Sequence, residues 1–136
     1  MDIFTEVKKL NLPLGSYVVM GSGPMSAHGL KEAHDIDIVV NDELFEQLKN
    51  SSWTESVEAS GSPVLRKDNC EIYKDWDFSF CSNYNPDREE LITNAEIING
   101  IPFAPLLEIK RWKEAFGRDK DMIDIKLIDE YLDQQK

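Results

Sequence analysis

Residues 17–40 constrain the fold more than any other part of the sequence, because two short apolar segments there flank a glycine-rich turn. The first segment, Tyr-Val-Val-Met, is aromatic and β-branched and stops at a glycine, which predicts a strand. Ser22 can then act as a helix N-cap, with Pro24 in the first turn, where a helix tolerates proline best. Gly29 ends this brief helix. Residues 35–40 follow as a second strand.

Two aspartates share one face of that second strand. Residues two apart on a strand point the same way, so Asp35 and Asp37 lie together. Adjacent carboxylates repel each other and lose solvation on burial, whereas oxygen ligands close together suit Mg²⁺. The free backbone N–H groups of Gly21, Ser22 and Gly23 form an anion site suited to phosphate. Together these residues predict a site for a nucleoside triphosphate with its metal.

On these residues the chain resembles the nucleotidyltransferase superfamily related to DNA polymerase β, and in particular its small stand-alone members. The matching motifs are Gly21-Ser22 at a strand-to-helix turn and Asp35-Ile36-Asp37 on the next strand. The resemblance implies two Mg²⁺ ions and an NTP co-substrate, with ATP favoured. Gly21 and Ser22 would hold the β- and γ-phosphates, and both aspartates would bridge the two ions.

The family has a third acidic residue on a later strand. Residues 71–80 predict such a strand, since Trp, Phe and Phe alternate with polar residues near its end. Asp77 lies deepest in this alternation and is the favoured third carboxylate, which would ligate the catalytic ion and take the acceptor proton. Asp75 and Glu71 have the same parity, so the assignment within this strand stays open.

The C-terminal part adds a second resemblance. Asn-Gly at 99–100 is a strong hairpin signal between strands at 95–98 and 101–103. Helices over 105–116 and 119–132 follow, and the Gly-Arg-Asp-Lys-Asp segment between them is similar to the tail of small nucleotidyltransferases. A lysine on the first of these helices is implied to offset charge on the pyrophosphate. Lys110 is the lysine expected to reach the triphosphate, and Lys113 lies three residues later on the same helix face.

The remaining elements complete an α/β (α+β) pattern. They are a helix over 1–10, a helix over 42–50 capped by Asn41, strands over 53–57 and 63–67, and a short helix over 87–94. Mixed strands and helices predict a mixed β-sheet flanked by helices, with a nucleotidyltransferase-like fold and a C-terminal helix pair. We expect one domain over residues 1–136, with its core motif at 17–80 and the hairpin and last helices at 95–134.

Composition narrows the partners and the location. The 15 basic and 26 acidic residues give a net charge of −11, which disfavours a nucleic-acid partner. No apolar segment is long enough to span a membrane, and the N-terminus does not have the pattern of a signal peptide. Cys70 and Cys81 lack zinc-site spacing and are expected to be reduced thiols. These features predict a cytoplasmic protein without a membrane partner.

The function expected from this sequence is transfer of a nucleoside monophosphate from an NTP to a hydroxyl of a small-molecule or protein acceptor. Two alternatives are a non-catalytic nucleotide- or metal-binding regulatory module and a protein nucleotidyltransferase of the toxin–antitoxin type. A homodimer is one arrangement that would complete an acceptor pocket in so small a catalytic unit.

Overall fold

A seven-stranded mixed β-sheet forms the centre of the computed structural model, which describes residues 1–135. Residue 136, the last of the predicted domain, lies outside the described residues. The strands are β1 Tyr17–Met20, β2 Ile36–Val40, β3 Thr54–Val57, β4 Pro63–Lys67, β5 Cys70–Tyr73, β6 Glu96–Ile98 and β7 Ile101–Phe103. Their order across the sheet is β3-β4-β5-β2-β1-β7-β6. The sheet is mixed because β1–β7 and β2–β5 are parallel and the other neighbours are antiparallel.

Six helices cover the two faces of this sheet. They are α1 Ile3–Lys8, α2 Gly23–Ala27, α3 Asp42–Lys49, α4 Arg88–Thr93, α5 Leu106–Phe116 and α6 Asp119–Gln134. Buried residues of α1 and α3 pack on one face, and buried residues of α2, α4, α5 and α6 pack on the other. This arrangement confirms the predicted α/β class, with a mixed sheet flanked by helices and a C-terminal helix pair.

The two central strands are buried on both sides because each is covered by helices. All four residues of β1 are buried, and they alternate between the two cores: Val19 lies in one, and Val18 and Met20 lie in the other. On β2, Ile36 and Ile38 belong to the first core and Val39 to the second. Asp37 therefore points to the same face as Val39, towards α5 and α6.

Strand β5 is shorter than the sequence predicts. The sequence predicts a strand over 71–80, but β5 ends at Tyr73, which pairs with Val39, one residue before the end of β2. The later aromatic alternation comes from side-chain packing of a non-strand segment: the rings of Trp76 and Phe78 lie 5.2 Å apart, and Phe78 contacts Phe116 at 5.1 Å. Burial of aromatic rings against α5 thus produces the same period-two pattern as a strand.

The hairpin and the helix pair lie where the sequence predicts them. Asn99 and Gly100 have φ of 51° and 80°, as a two-residue turn requires, and Ile98 pairs with Ile101 across it. Gly117 is left-handed, with φ of 62°, and separates α5 from α6.

Among the helices of residues 1–135, none combines the length and the apolar character that a membrane-spanning helix needs.

Candidate functional site

The sequence-predicted acidic and glycine motifs meet in one cavity of about 420 Å³. Its lining includes Gly21 and Ser22 from the turn after β1, and Asp35 and Asp37 at the start of β2. It also includes four basic residues: Lys31, Lys113, Arg118 and Lys120. The sheet supplies an acidic wall; the loop before β2 and the helix pair supply what we call the basic wall, in which the four basic residues are accompanied by Glu32 and Asp124.

Gly21 makes the approach of the turn to Asp37 sterically feasible. Its φ of 62° is left-handed, which costs any other L-residue conformational energy. A Cβ built on Gly21 would overlap the Oδ2 atom of Asp37 and crowd its Cγ and Cβ atoms. The glycine is therefore required both by its backbone conformation and by the space that the carboxylate occupies.

We expect Gly21→Ala to destabilise the protein and to displace the Asp37 carboxylate. The matched control is Gly29→Ala, because Gly29 has a similar φ of 73° but has no atom within 4 Å of an added Cβ. Conformational strain costs each variant about 1–2 kcal/mol. Chemical denaturation should show an additional loss only for Gly21→Ala; equal losses would mean that the contact with Asp37 is unimportant.

Ser22 begins α2 but does not use its hydroxyl as a cap. Within residues 1–135 the Ser22 side chain makes no capping hydrogen bond, and its backbone is in the helical region, with φ of −83° and ψ of −8°. Helix α2 is only five residues long, so its dipole adds little to an anion site. A phosphate here would depend mainly on backbone N–H groups and on the basic wall. The role of Ser22 as a phosphate contact stays a prediction.

Asp37 is a carboxylate in an unfavourable electrostatic environment. Burial, then the charge of Glu71, then that of Asp35, raises its pKa to about 7, while a hydrogen bond from Tyr73 opposes the rise. None of the ion pairs formed within residues 1–135 includes Asp37 or Asp35. A cation bound beside Asp37 would remove this repulsion.

Glu71 is the carboxylate that the structure places opposite Asp37. The parallel register of β2 and β5 pairs Asp37 with Glu71. The Oε2 atom of Glu71 accepts a hydrogen bond from Arg66 Nε at 3.0 Å and one from the Tyr73 hydroxyl at 3.2 Å. Glu71 has the same parity in the sequence as Asp75 and Asp77, and the pairing of β5 with β2 places it beside Asp37.

Asp77, which the sequence favours as the third carboxylate, does not line the cavity that contains Asp35 and Asp37. It follows the end of β5 in a turn, where its Oδ1 accepts a hydrogen bond from the backbone N–H of Ser79 at 2.8 Å. Hydrogen bonds from Ser79 lower the pKa of Asp77. The assignment depended on a strand that continued to residue 80, and it loses its basis because β5 stops at Tyr73.

A buried ion network organises the basic wall. Asp124 of α6 lies between two lysines: Lys113 Nζ is 2.8 Å and Lys31 Nζ 2.9 Å from its Oδ2. Lys113 and Asp124 are 6% and 5% exposed, so both charges lie in the interior. Burial alone would raise the pKa of Asp124, but the two lysines outweigh it and lower that pKa. The network joins the loop before β2 to both C-terminal helices.

The Gly-Arg-Asp-Lys-Asp segment has a clear structural role. Asp121, which is 0% exposed, accepts from the backbone N–H of Arg118 at 3.2 Å and from its Nε at 2.6 Å. This pair forms a capping box at the start of α6. Lys113 lies 3.7 Å from the same carboxylate. The segment therefore fixes the start of α6 and holds Lys113 and Arg118 at the cavity.

Lys110, predicted to reach the triphosphate, points to a different partner. Its Nζ lies 2.7 Å from Oδ1 of Asp129, in a pair whose side chains are 29% and 45% exposed. Lys113, three residues later, lines the cavity. Packing of α5 against α6 turns the Lys113 position towards Asp124, which the sequence pattern alone could not determine.

The residues of this site fit a magnesium ion that is shared with a bound nucleotide better than one that is held by protein side chains alone. Within residues 1–135, no group of three His, Cys, Asp or Glu side chains is arranged to hold a metal ion. Mg²⁺ usually takes one or two protein carboxylates and completes its shell with water and substrate phosphate. The repulsion at Asp37 and the close approach of Gly21 fit such an arrangement, with Asp35 and Asp37 as ligands.

A larger cavity, of about 810 Å³, lies along the segment 83–94 and α5. Tyr84 lines it, and the hydroxyl of Tyr84 donates to Glu108 at 2.7 Å. Glu108 also accepts a hydrogen bond from Arg111 at 2.9 Å, and the lining of this cavity does not include the glycine turn or the aspartates of β2. The smaller cavity is the better candidate because it combines opposite charges in separate walls.

Two residues of the site lack a sequence signal. Lys31 lies in the loop before β2, where nothing in the local pattern marks it as part of a basic wall. Tyr73 has ordinary strand character, and its contact with Asp37 depends on the pairing of β5 with β2.

Comparison of the chain with protein-family models, curated proteins and solved structures found no match. The function of the site is therefore inferred from its own residues and geometry.

Proposed function

We propose that the protein is a Mg²⁺-dependent cytoplasmic nucleotidyltransferase that moves a nucleoside monophosphate from an NTP, with ATP favoured, to a hydroxyl group. The observation that carries this proposal is the cavity of about 420 Å³, which is lined by Asp35 and Asp37, by the glycine turn, and by four basic residues: Lys31, Lys113, Arg118 and Lys120. Carboxylates on one wall suit metal ions, and ammonium and guanidinium groups on the other suit a polyphosphate.

The residues have separable tasks in such a reaction. Asp35 and Asp37 would hold Mg²⁺, which would neutralise charge on the reacting phosphate. The turn at Gly21 and Ser22 would place backbone donors beside the triphosphate. Lys113, held by Asp124, would stabilise the leaving pyrophosphate. We propose Glu71, in place of Asp77, as the third carboxylate, which would accept the proton of the acceptor hydroxyl; its register beside Asp37 supports this choice.

Mass spectrometry tests the proposal directly. The protein is mixed with each NTP, Mg²⁺ and host lysate, and nucleotidylated products are sought together with released pyrophosphate. The matched negative control is Asp35→Asn, which removes a charge at an exposed position. Product formed by the wild type and not by this variant supports transfer. Equal product with both proteins would eliminate the metal role of Asp35.

Substitution of two acidic residues distinguishes the two positions for the third carboxylate. Glu71→Gln is expected to slow transfer by about 10²–10⁴-fold, the usual effect of losing a general base, while NTP binding persists. Asp77→Asn is expected to leave the rate unchanged, because Asp77 binds the Ser79 N–H of its own turn. Rates of pyrophosphate release measure both effects. The opposite result would restore the assignment made from the sequence.

A second candidate is a nucleotide- or metal-binding module without catalysis. The contact between Glu71 and Arg66, at 3.0 Å, favours it, because a carboxylate already paired with a guanidinium is a weaker base and metal ligand. Binding of ATP and Mg²⁺ without pyrophosphate release, with any acceptor in the lysate, would support this candidate over transfer.

A further inference from the structure

The hydroxyl of Tyr73 lies between two carboxylates of the candidate site. It is 3.2 Å from Oε2 of Glu71 and 3.5 Å from Oδ1 of Asp37. The parallel register explains the contact: Tyr73 pairs with Val39 just as Glu71 pairs with Asp37, so all four side chains share one face. The phenol extends back along the sheet from the Tyr73–Val39 pair to the Glu71–Asp37 pair.

The ring of Tyr73 is held firmly. It packs edge-on against Trp76, with ring centroids 5.2 Å apart and an interplanar angle of 87°. Tyr73 also packs against the apolar core on the side of α5 and α6. A phenol with its ring fixed in this way presents its oxygen in one direction, so its contacts with the carboxylates are not those of a freely rotating surface side chain.

Tyr73 differs from Arg66, the other side chain that donates a hydrogen bond to Glu71, because Tyr73 contributes no charge. A phenol is protonated at neutral pH, so the hydroxyl of Tyr73 donates a hydrogen bond and carries no charge. A lysine or arginine in its place would neutralise the carboxylates and repel a metal ion. A neutral O–H can orient Asp37 and leaves the negative charge of Asp37 available to a cation.

We propose that Tyr73 is a positioning residue whose hydroxyl, held beside Glu71, keeps the Asp37 carboxylate in the orientation in which it binds a divalent cation. This inference rests on the proposed function, since it assumes that Asp37 is a metal ligand. Hydrogen-bond donors behind metal-binding carboxylates fix the direction of the ligand oxygens, and loss of such a donor typically weakens metal binding about 10–100-fold.

Manganese binding to Tyr73→Phe tests this role without any measurement of activity. Mn²⁺ serves as the probe, and the signal of free Mn²⁺ in electron paramagnetic resonance gives the bound fraction. Tyr73→Phe keeps the ring that packs on Trp76 and removes only the oxygen. We expect its Mn²⁺ affinity to fall at least about 10-fold relative to the wild type.

Tyr84→Phe is the matched control. Tyr84 is also buried, and its hydroxyl donates to a carboxylate, Glu108, at 2.7 Å, but in the other cavity. It should therefore lose a comparable hydrogen bond without any change in Mn²⁺ affinity. Equal weakening in both variants would show a general loss of packing and would overturn the positioning role.

The two proposals fail in different ways. If the wild type binds Mn²⁺ and Tyr73→Phe binds it equally well, the positioning role of Tyr73 is wrong while the proposed function stands. If the wild type does not bind Mn²⁺ even at millimolar concentration, the metal site itself is wrong, and the role of Tyr73 is overturned with it.

Discussion

Asp37→Asn is expected to abolish transfer and, at the same time, to stabilise the metal-free protein at pH 8. Burial and the charges of Glu71 and Asp35 raise the pKa of Asp37 to about 7, from 3.8 in an unperturbed aspartate. The folded state therefore binds this proton more tightly than the unfolded state. The contribution to stability is fully present below pH 3.8 and is lost as pH rises through about 7.

The size of this effect follows from the shift. Each pKa unit corresponds to about 1.4 kcal/mol, and the pKa rises from 3.8 to about 7, so ionised Asp37 costs the folded protein about 4 kcal/mol at pH 8. Asparagine has nearly the same shape and no charge, and it can still accept the hydrogen bond from Tyr73. Urea denaturation in the presence of a chelator should show Asp37→Asn more stable than the wild type at pH 8, with the difference shrinking towards pH 4.

Asp35→Asn is the control for this prediction. The substitution should abolish transfer because Asp35 is a proposed metal ligand. Since Asp35 is exposed, no comparable gain in stability is expected. Saturating Mg²⁺ should in turn raise the stability of the wild type at pH 8 and leave that of Asp37→Asn nearly unchanged, because a ligand that binds only the folded state stabilises it. A wild type and an Asp37→Asn variant with the same stability at every pH would contradict the repulsion at this site.

The parts of the site that could be predicted are those encoded by local signals. Gly21 ends a strand and has to adopt positive φ, and Asp35 and Asp37 share a face through the strict period of two. Such features depend on neighbouring residues in the sequence. The cavity that brings Gly21 and both aspartates together agrees with that local analysis.

The parts that could not be predicted depend on contacts between distant elements. Asp77 was favoured because aromatic residues alternate around it, but this alternation reflects the packing of Trp76 and Phe78 on α5 rather than a strand. Parity alone leaves Asp75 and Glu71 open beside Asp77, and the pairing of β5 with β2 places Glu71 next to Asp37. Likewise, the choice between Lys110 and Lys113 is decided by where α6 places Asp124 and Asp129.

Lys113→Met is expected to destabilise the protein by about 3 kcal/mol and to raise the KM for the nucleotide strongly. Removal of one partner from a buried ion pair typically costs 3–5 kcal/mol, since the remaining charge stays in the interior. Asp124 would keep Lys31, at 2.9 Å, which places the expected loss at the lower end of this range. Denaturation midpoints and steady-state kinetics with varied NTP measure the two effects.

Lys110→Met is the matched control, because Lys110 lies one helical turn earlier on α5 and pairs with Asp129 near the surface. An exposed pair contributes about 0–1 kcal/mol, so neither stability nor the KM should change much. If Lys110→Met impaired nucleotide use and Lys113→Met did not, the basic wall would be wrongly assigned and the residue chosen from the sequence would be correct.

A double variant separates the structural role of Lys113 from its role in binding. Lys113→Met combined with Asp124→Asn removes both buried charges, and Lys31, which is 40% exposed, can turn to solvent. Replacement of a buried ion pair by uncharged groups is often nearly neutral, so most of the lost stability should return. Nucleotide binding should not return, because the cation that faces the triphosphate is still absent. Recovery of both properties would mean that Lys113 supports the fold alone, and that the phosphate is bound by other residues of the basic wall.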